Sequence, residues 1–408
     1  MPTRRSATRA AVLASLLPVA FIAACGSSGS SGGNTTGSSQ SPSGGGGSAQ
    51  GACKLTNPPK SAAQAPAATT SAKASGKVGV ILPDTTSSTR YTLYDAPLLK
   101  SALSAAGITP NVQNAGGSTS RFESIAQSMI GSGVKVLIID SIDATSGAAV
   151  ERQAQSAGVK VIDYDRVNLG GTAPYYVSFD NEEVGKLQAQ TLVDCLNASG
   201  KSNPQIIMMS GGKDVDNNAV LFAKGAHTVL DPLQSQGKLK IVSESVVAGW
   251  TIAKAAPTFT QALTAAGGKV DGVVAANDDI ANAVLGVLKS NGLAGHVAIT
   301  GQDSGVEGLQ NILTGQQSMT IFKNVKLEAA AAARLAIALI SGKTASQAGL
   351  TLTKFDDPKA PNHNLQALLL PPLVITQANV MDVVHAGALT VAQICKGIET
   401  ACSSAGVQ

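Results

Sequence analysis

From Lys77 onward, runs that are apolar throughout alternate with segments of helical spacing. "KVGVIL" leads into "DAPLLKSALSAAG", where Leu98, Leu99, Ala102, Leu103 and Ala106 share one helical face and Gly107 closes the helix. "RFESIAQSMIGSG" predicts a helix, "VKVLIID" a strand, "ATSGAAVERQAQSAG" a helix and "VKVID" a strand. After "YYVSFD" the pattern restarts. Strands "PQIIMMS", "KLKIVSESVV", "VDGVVAA", "HVAITG" and "SMTIF" alternate with helices over 215–230, 251–266, 279–290 and 304–314. A strand with no polar face must be covered on both sides, which predicts parallel sheets sandwiched between helices. Two such series predict two doubly wound α/β lobes.

The charge balance narrows the partners. Formal charge is +4, but Arg4, Arg5 and Arg9 lie in the first 24 residues, which hold no acid. The rest of the chain keeps 27 of the 30 basic residues against 26 acidic ones. Near-neutrality gives no footprint for nucleic acid and no basic patch for a membrane surface. The three Arg and the apolar "AAVLASLLPVAFIAA" read as an export signal, too short for a permanent span. It ends in "FIAAC", which resembles the lipobox of bacterial lipoproteins and makes Cys25 the candidate lipidated N-terminus; the alternative is an ordinary signal peptide with an incidental Cys. The Gly/Ser-rich stretch 26–51, and a softer Ala/Ser/Pro stretch up to Gly76, cannot bury apolar surface and read as a tether. The expected location is the extracytoplasmic face of a cell membrane, held by lipid alone. "LEAAAAARLAIALI" is interrupted by Glu328 and Arg334 and reads as a packed helix.

Four further Cys allow three pairings. Cys395 and Cys402, close in sequence, suggest a local clasp; Cys53 with Cys195 would then follow by elimination. The absence of C-x-x-C argues against a redox pair or zinc knuckle.

In open α/β sheets, ligands sit beyond the carboxyl ends of the strands. There the chain places Asp84, Arg90 and Tyr91, then Asp140, then Asp165 and Arg166, then Asp216, Asn217 and Asn218. Trp250, the only Trp, follows "SESVVAG"; Asn277, Asp278 and Asp279 follow "VVAA"; Gln302 and Asp303 follow "AITG"; Lys323 follows "TIF". Asp and Asn at such junctions often serve only as helix caps. Arg166, Lys323 and Trp250 are not cap residues, and they favour a binding site. Catalysis finds no support. There is no G-x-G-x-x-G and no G-x-S-x-G after a strand. The "SGKT" at 341–344 has Ile337 where a phosphate loop needs Gly, and the four His are scattered. No metal or cofactor is implied. Asp, Asn, Arg and Lys with aromatic faces suit a pyranose, whose hydroxyls donate and accept while its C–H faces are apolar.

The segments "YDR" (164–166), "YVSFDNEEVGKLQAQ", "GGKDVDNNAVLFAKGAHTVL", "AGW" (248–250), "VVAANDD", "AITGQDS" and "MTIFK" resemble sugar-binding periplasmic-type proteins of the ribose/galactose class, most closely the D-xylose-binding members. The likeness spans nearly all of 77–390. It implies a type I periplasmic binding protein fold with a three-crossing hinge: lobe 1 over 77–180 and 324–370, lobe 2 over 181–323 and 371–408. Hinge crossings would lie at "SFDNEEVG", near 321–324 and near 368–376. It further implies a monomeric, non-enzymatic receptor that delivers a monosaccharide to the permease of an ABC importer. Asp165 and Arg166 would hold hydroxyls from the first lobe; Asn218, with Asp216 or Asn217, Asn277 and Asp303 from the second; Lys323 from a hinge strand. Trp250 would stack on one sugar face. Arg90 and Tyr91 match an Arg–Trp pair of the xylose-binding members, so Tyr91 would cover the other face. That exchange, with one extra residue in the preceding loop, leaves glucose, ribose and arabinose open beside xylose. A tethered sensor feeding a signalling partner would have the same sequence features.

Overall fold

The computed structural model describes Cys53, Leu55 and residues 73–408; the export signal, Cys25 and nearly all of the tether lie outside these described residues. Along the chain come β1 (Lys77–Leu82), α1 (Ala96–Ala105), β2 (Thr109–Asn114), α2 (Thr119–Gly131), β3 (Val136–Ile139), α3 (Ala144–Ser156), β4 (Lys160–Tyr164) and β5 (Tyr175–Phe179). Then follow α4 (Asn181–Ala198), β6 (Gln205–Ser210), α5 (Asn217–Ser235), β7 (Lys240–Val246), α6 (Ala255–Ala265), β8 (Gly272–Ala275), α7 (Asp278–Ser290), β9 (Ala298–Ile299), α8 (Val306–Leu313) and β10 (Thr320–Phe322). The chain continues through α9 (Val325–Ile340), β11 (Thr353–Phe355), β12 (Leu365–Leu370) and β13 (Leu373–Ile375). It ends in three short helices, α10 (Met381–His385), α11 (Val391–Cys395) and α12 (Glu399–Ser404).

The first sheet has the order β11-β12-β5-β4-β3-β1-β2 and is parallel except for the β11–β12 pair; the second has the order β7-β6-β8-β9 and is parallel throughout. A separate antiparallel pair joins β10 to β13. The strand alternation explains the unbroken apolar runs. Val78, Val80, Val136 and Ile138 pack towards α1 and α9, while Ile81, Leu137 and Ile139 pack towards α2 and α3. In the second sheet Ile207, Met209 and Val273 face α6 and α7, and Ile206, Met208 and Val274 face α4 and α5. β1, β3, β6 and β8 thus have a core on both faces.

Three segments depart from the sequence reading. β2, "TPNVQN", is a half-exposed edge strand whose polar residues hid it. The helix expected over 251–266 begins at Ala255, after two short 3-10 turns. The sheets are not wholly parallel, because β11 and the β10–β13 pair run antiparallel. Beyond β13 the C-terminal helices cover α8, with Val383, Leu389, Ile394 and Cys395 buried against Leu309, Ile312 and Leu313. Disulfides join Cys395 to Cys402 and Cys53 to Cys195. Among the described residues no helix is long and apolar enough to cross a membrane.

Helices α4 and α5 approach so closely that their glycines leave no room for a side chain. A Cβ on Gly185 would lie 1.8 Å from the Phe222 carbonyl oxygen, and one on Gly225 would lie 1.9 Å from that of Glu182. Gly225→Val should therefore cost about 2 kcal/mol or more, by the strain of overpacking against a backbone that cannot yield. Urea unfolding, with Gly286→Val at an uncrowded helical position as the control, checks this.

Candidate functional site

The carboxyl ends of the two sheets face one cavity with an empty volume of about 300 Å³, open solvent included. Of the ten residues singled out from the sequence as ligand contacts, nine line it: Arg90, Tyr91, Asp165, Arg166, Asn218, Trp250, Asn277, Asp303 and Lys323. Asn217 does not. It is the first residue of α5 and half-buried, while its neighbour Asp216 reaches the cavity instead. Ser87, Ser88, Phe222 and Gln302 complete the wall. The two serines were not singled out, since nothing in a Ser-rich loop distinguishes them. Asp84 positions them by accepting from Thr86 N, Ser87 N and Ser87 Oγ at 2.7–2.8 Å.

Asp165 is the electrostatic centre. It is buried in a left-handed backbone conformation (φ 57°), costly for a residue with a side chain. Its Oδ1 lies 3.1 Å from Arg90 Nη1 and 3.2 Å from Lys323 Nζ, and its Oδ2 accepts from the Tyr91 hydroxyl at 3.0 Å. Burial works to raise its pKa, but Arg90, Lys323 and Arg166 outweigh that and hold the carboxyl below its ordinary range. Trp250 (φ 54°) and Asp303 (φ 92°) are also left-handed. Three cavity residues thus carry backbone strain that the surrounding structure holds in place.

Arg90 acts chiefly as an anchor. Its Nε and Nη2 donate to Asp95 at 2.9 and 2.7 Å, Nη2 also to Glu328 and Nη1 to Asp165, which leaves little for a ligand. Tyr91 is drawn into the same network: besides donating to Asp165, its hydroxyl accepts from Arg166 Nη2 at 3.2 Å. Two residues both cap a helix and line the cavity. Asp216 caps α5 through Oδ1, which accepts from Asn218 N, while Oδ2 accepts from Trp250 Nε1 at 3.0 Å. Asn277 caps α7 through Oδ1 and turns Nδ2 towards the Ser87 carbonyl, 3.3 Å away. Asn218 is largely committed to the protein: Nδ2 donates to the Asp165 carbonyl, and Oδ1 accepts from Asn181 and Tyr176. Trp250 can lie flat against the backbone because position 211 is Gly, where a Cβ would come within 2.1 Å of the indole.

The two sides meet directly. Ser88 Oγ donates to Asp303 Oδ2 at 3.0 Å, and Arg166 Nε lies 3.5 Å from Asp216 Oδ2. Lys323 Nζ lies 5.7 Å from the Phe179 ring centre and 5.9 Å from that of Phe222. Cations are matched by buried acids, so the wall offers a ligand polarity without net charge. Among the described residues no group of three or more His, Cys, Asp or Glu is placed to hold a metal ion.

Burial pushes the Glu328 carboxyl from its ordinary 4.5 up to about 8; Arg90 opposes the shift, and Asp165 and Asp95 add to it. Between those values the folded protein keeps a proton that the unfolded chain has released. The contribution of this group is therefore full below 4.5 and is lost as pH rises to about 8. Urea unfolding from pH about 5 to about 8 should show stability falling less steeply in Glu328→Gln than in the parent protein.

The family model described as "Periplasmic binding protein domain" matches residues 78–344. The chain is 37% identical over 279 residues to the D-xylose-binding periplasmic protein of Escherichia coli, covering 67% of this chain and 79% of that one. It is 32% identical to the multiple sugar-binding periplasmic receptor of Rhizobium radiobacter, covering 76% and 90%. Among solved structures, the carbohydrate transporter solute binding protein of Chloroflexus aurantiacus in complex with D-glucose superposes with a TM-score of 0.70 at 29% identity, covering 79% and 98%. An ABC transporter solute binding protein of Clostridium phytofermentans with bound β-D-glucose gives 0.69 at 28%, covering 78% and 99%. With two helix-covered sheets facing one cavity, and with these likenesses along most of its length, the chain belongs to the periplasmic binding protein family and has its type I fold.

Proposed function

We propose that this protein is an extracytoplasmic sugar receptor, anchored by lipid at Cys25, that encloses one monosaccharide between two closing lobes and presents it to an ABC importer. It changes no bond in its ligand. The observation that carries this reading is the single cavity walled from both sheets, with its charges paired internally and Trp250 in the wall. Such a wall rewards an uncharged, hydroxyl-rich molecule. Hydrogen bonds to its charged groups contribute about 1.5–3 kcal/mol each, and one left unmade in a dry site costs about 1–3 kcal/mol, so epimers are told apart. The lobes are 77–180 with 324–370, and 181–323 with 371–408. Chain crossings lie beside β5, beside β10 and between β12 and β13. On binding, the bond from Ser88 to Asp303 and that from Asn277 to the Ser87 carbonyl exchange for bonds to sugar hydroxyls. Closure excludes water and strengthens those that remain.

D-xylose is the first candidate, supported by the 37% identity to D-xylose-binding proteins. Another aldose is the alternative. It is favoured by Tyr91, whose hydroxyl is bound to Asp165, and by structural relatives holding glucose.

Titration calorimetry with D-xylose, D-glucose, D-ribose and L-arabinose tests the assignment: xylose should bind tightest, and weaker binding than two of the others removes it. Arg166→Ala and Asp303→Ala should each lose at least a hundredfold in affinity while remaining folded by circular dichroism; near-normal affinity in both would displace the site. Cys25→Ser should move the protein from the membrane fraction to the soluble fraction.

A further inference from the structure

Arg166 sits between two acids that belong to different sides of the cavity. Its Nε is 3.7 Å from Asp140 Oδ1, beyond the end of β3 on its own side, and 3.5 Å from Asp216 Oδ2, beyond the end of β6 on the other. Neither contact is a hydrogen bond: Nε and both carboxylate oxygens of Asp140 are buried without a hydrogen-bond partner. The other guanidinium nitrogens are fixed by the first side alone, Nη1 donating to the Ser141 carbonyl and Nη2 to Ser87 Oγ and the Tyr91 hydroxyl. Nε is thus the donor for which the two acids compete. A fully buried carboxylate without a donor is costly.

We propose that Arg166 is a latch shared by two acids, held by Asp140 when the cleft is open and drawn towards Asp216 when it closes. This rests on the two-lobe receptor reading given above. Asp216 departs with the second lobe on opening, together with α5 and Trp250, to which it is bonded. Asp140 stays beside Arg166 and recovers it. Asp140 therefore stabilises the open form more than the closed one. Burial and the charge of Asp165 also push the Asp140 carboxyl up, against the pull of Arg166 and Arg90, so the closed form serves this acid poorly. A ligand binding only the closed form has its apparent affinity reduced by the closed fraction of the free protein. On this view Asp140, which does not line the cavity, sets the affinity by holding the cleft open.

Asp140→Asn keeps the shape and removes the charge. Small-angle X-ray scattering of the sugar-free full chain should give a smaller radius of gyration for Asp140→Asn than for the parent protein, and a larger one for Asp216→Asn. Calorimetry with D-xylose and D-glucose should show Asp140→Asn binding at least threefold tighter, for whichever sugar the parent protein binds. A radius in Asp140→Asn equal to or above that of the parent, or an affinity gain below threefold, overturns the latch. Should Asp140→Asn fail to fold, Asp216→Asn decides: a radius no larger than that of the parent overturns it. If the parent protein binds neither sugar, the receptor reading has failed for these ligands, and scattering alone decides the latch.

Discussion

A carboxylate shut away from water needs cations, and Asp165 has two in contact and a third close enough to act on it. Arg90 and Lys323 are themselves buried, so each depends on Asp165 as much as it depends on them. Removing one partner from such a cluster leaves charge uncompensated, a loss of roughly 3–5 kcal/mol. Asp95 and Glu328 extend the cluster behind Arg90, and the Tyr164 hydroxyl donates to Asp95. The π-helical turn Tyr91–Asp95, α9 and the ends of β4 and β10 are thereby pinned to one another. The paired charges leave Asp165, Arg90 and Lys323 few alternative arrangements.

The same economy recurs at the strand ends. Asp216 and Asn277 each use one side-chain atom to cap a helix and turn the other towards the cavity. A cap fixes the rotamer, so the second side-chain atom is held in one orientation at the cavity wall. Left-handed backbone at Asp165, Trp250 and Asp303 serves the same end.

Much of this was legible in the sequence. The apolar strands announced two covered sheets, because a strand with two apolar faces has no other stable placement. Of the ten residues singled out as ligand contacts, all but Asn217 line one cavity. What stayed hidden lacked a local signal. β2 is polar because it is an edge, and Ser87 and Ser88 are ordinary loop residues until Asp84 organises them. Glu328 was visible only as an interruption in an alanine-rich helix; its partner Arg90 is 238 residues away in the chain. Competition between Asp140 and Asp216 for Arg166 depends on distances that only the folded chain defines.

The disulfide from Cys53 to Cys195 has a mechanical consequence. Cys195 lies in α4, whose apolar face covers the second sheet, whereas the first strand, starting at Lys77, belongs to the other sheet. Traction applied to the chain ahead of Cys53 is therefore carried into the body through sulfur and α4, bypassing β1. A protease cutting anywhere between 56 and 72 would sever the peptide, yet the segment ahead of the cut would stay joined to the body through Cys53 and Cys195 until a reductant opened that bond.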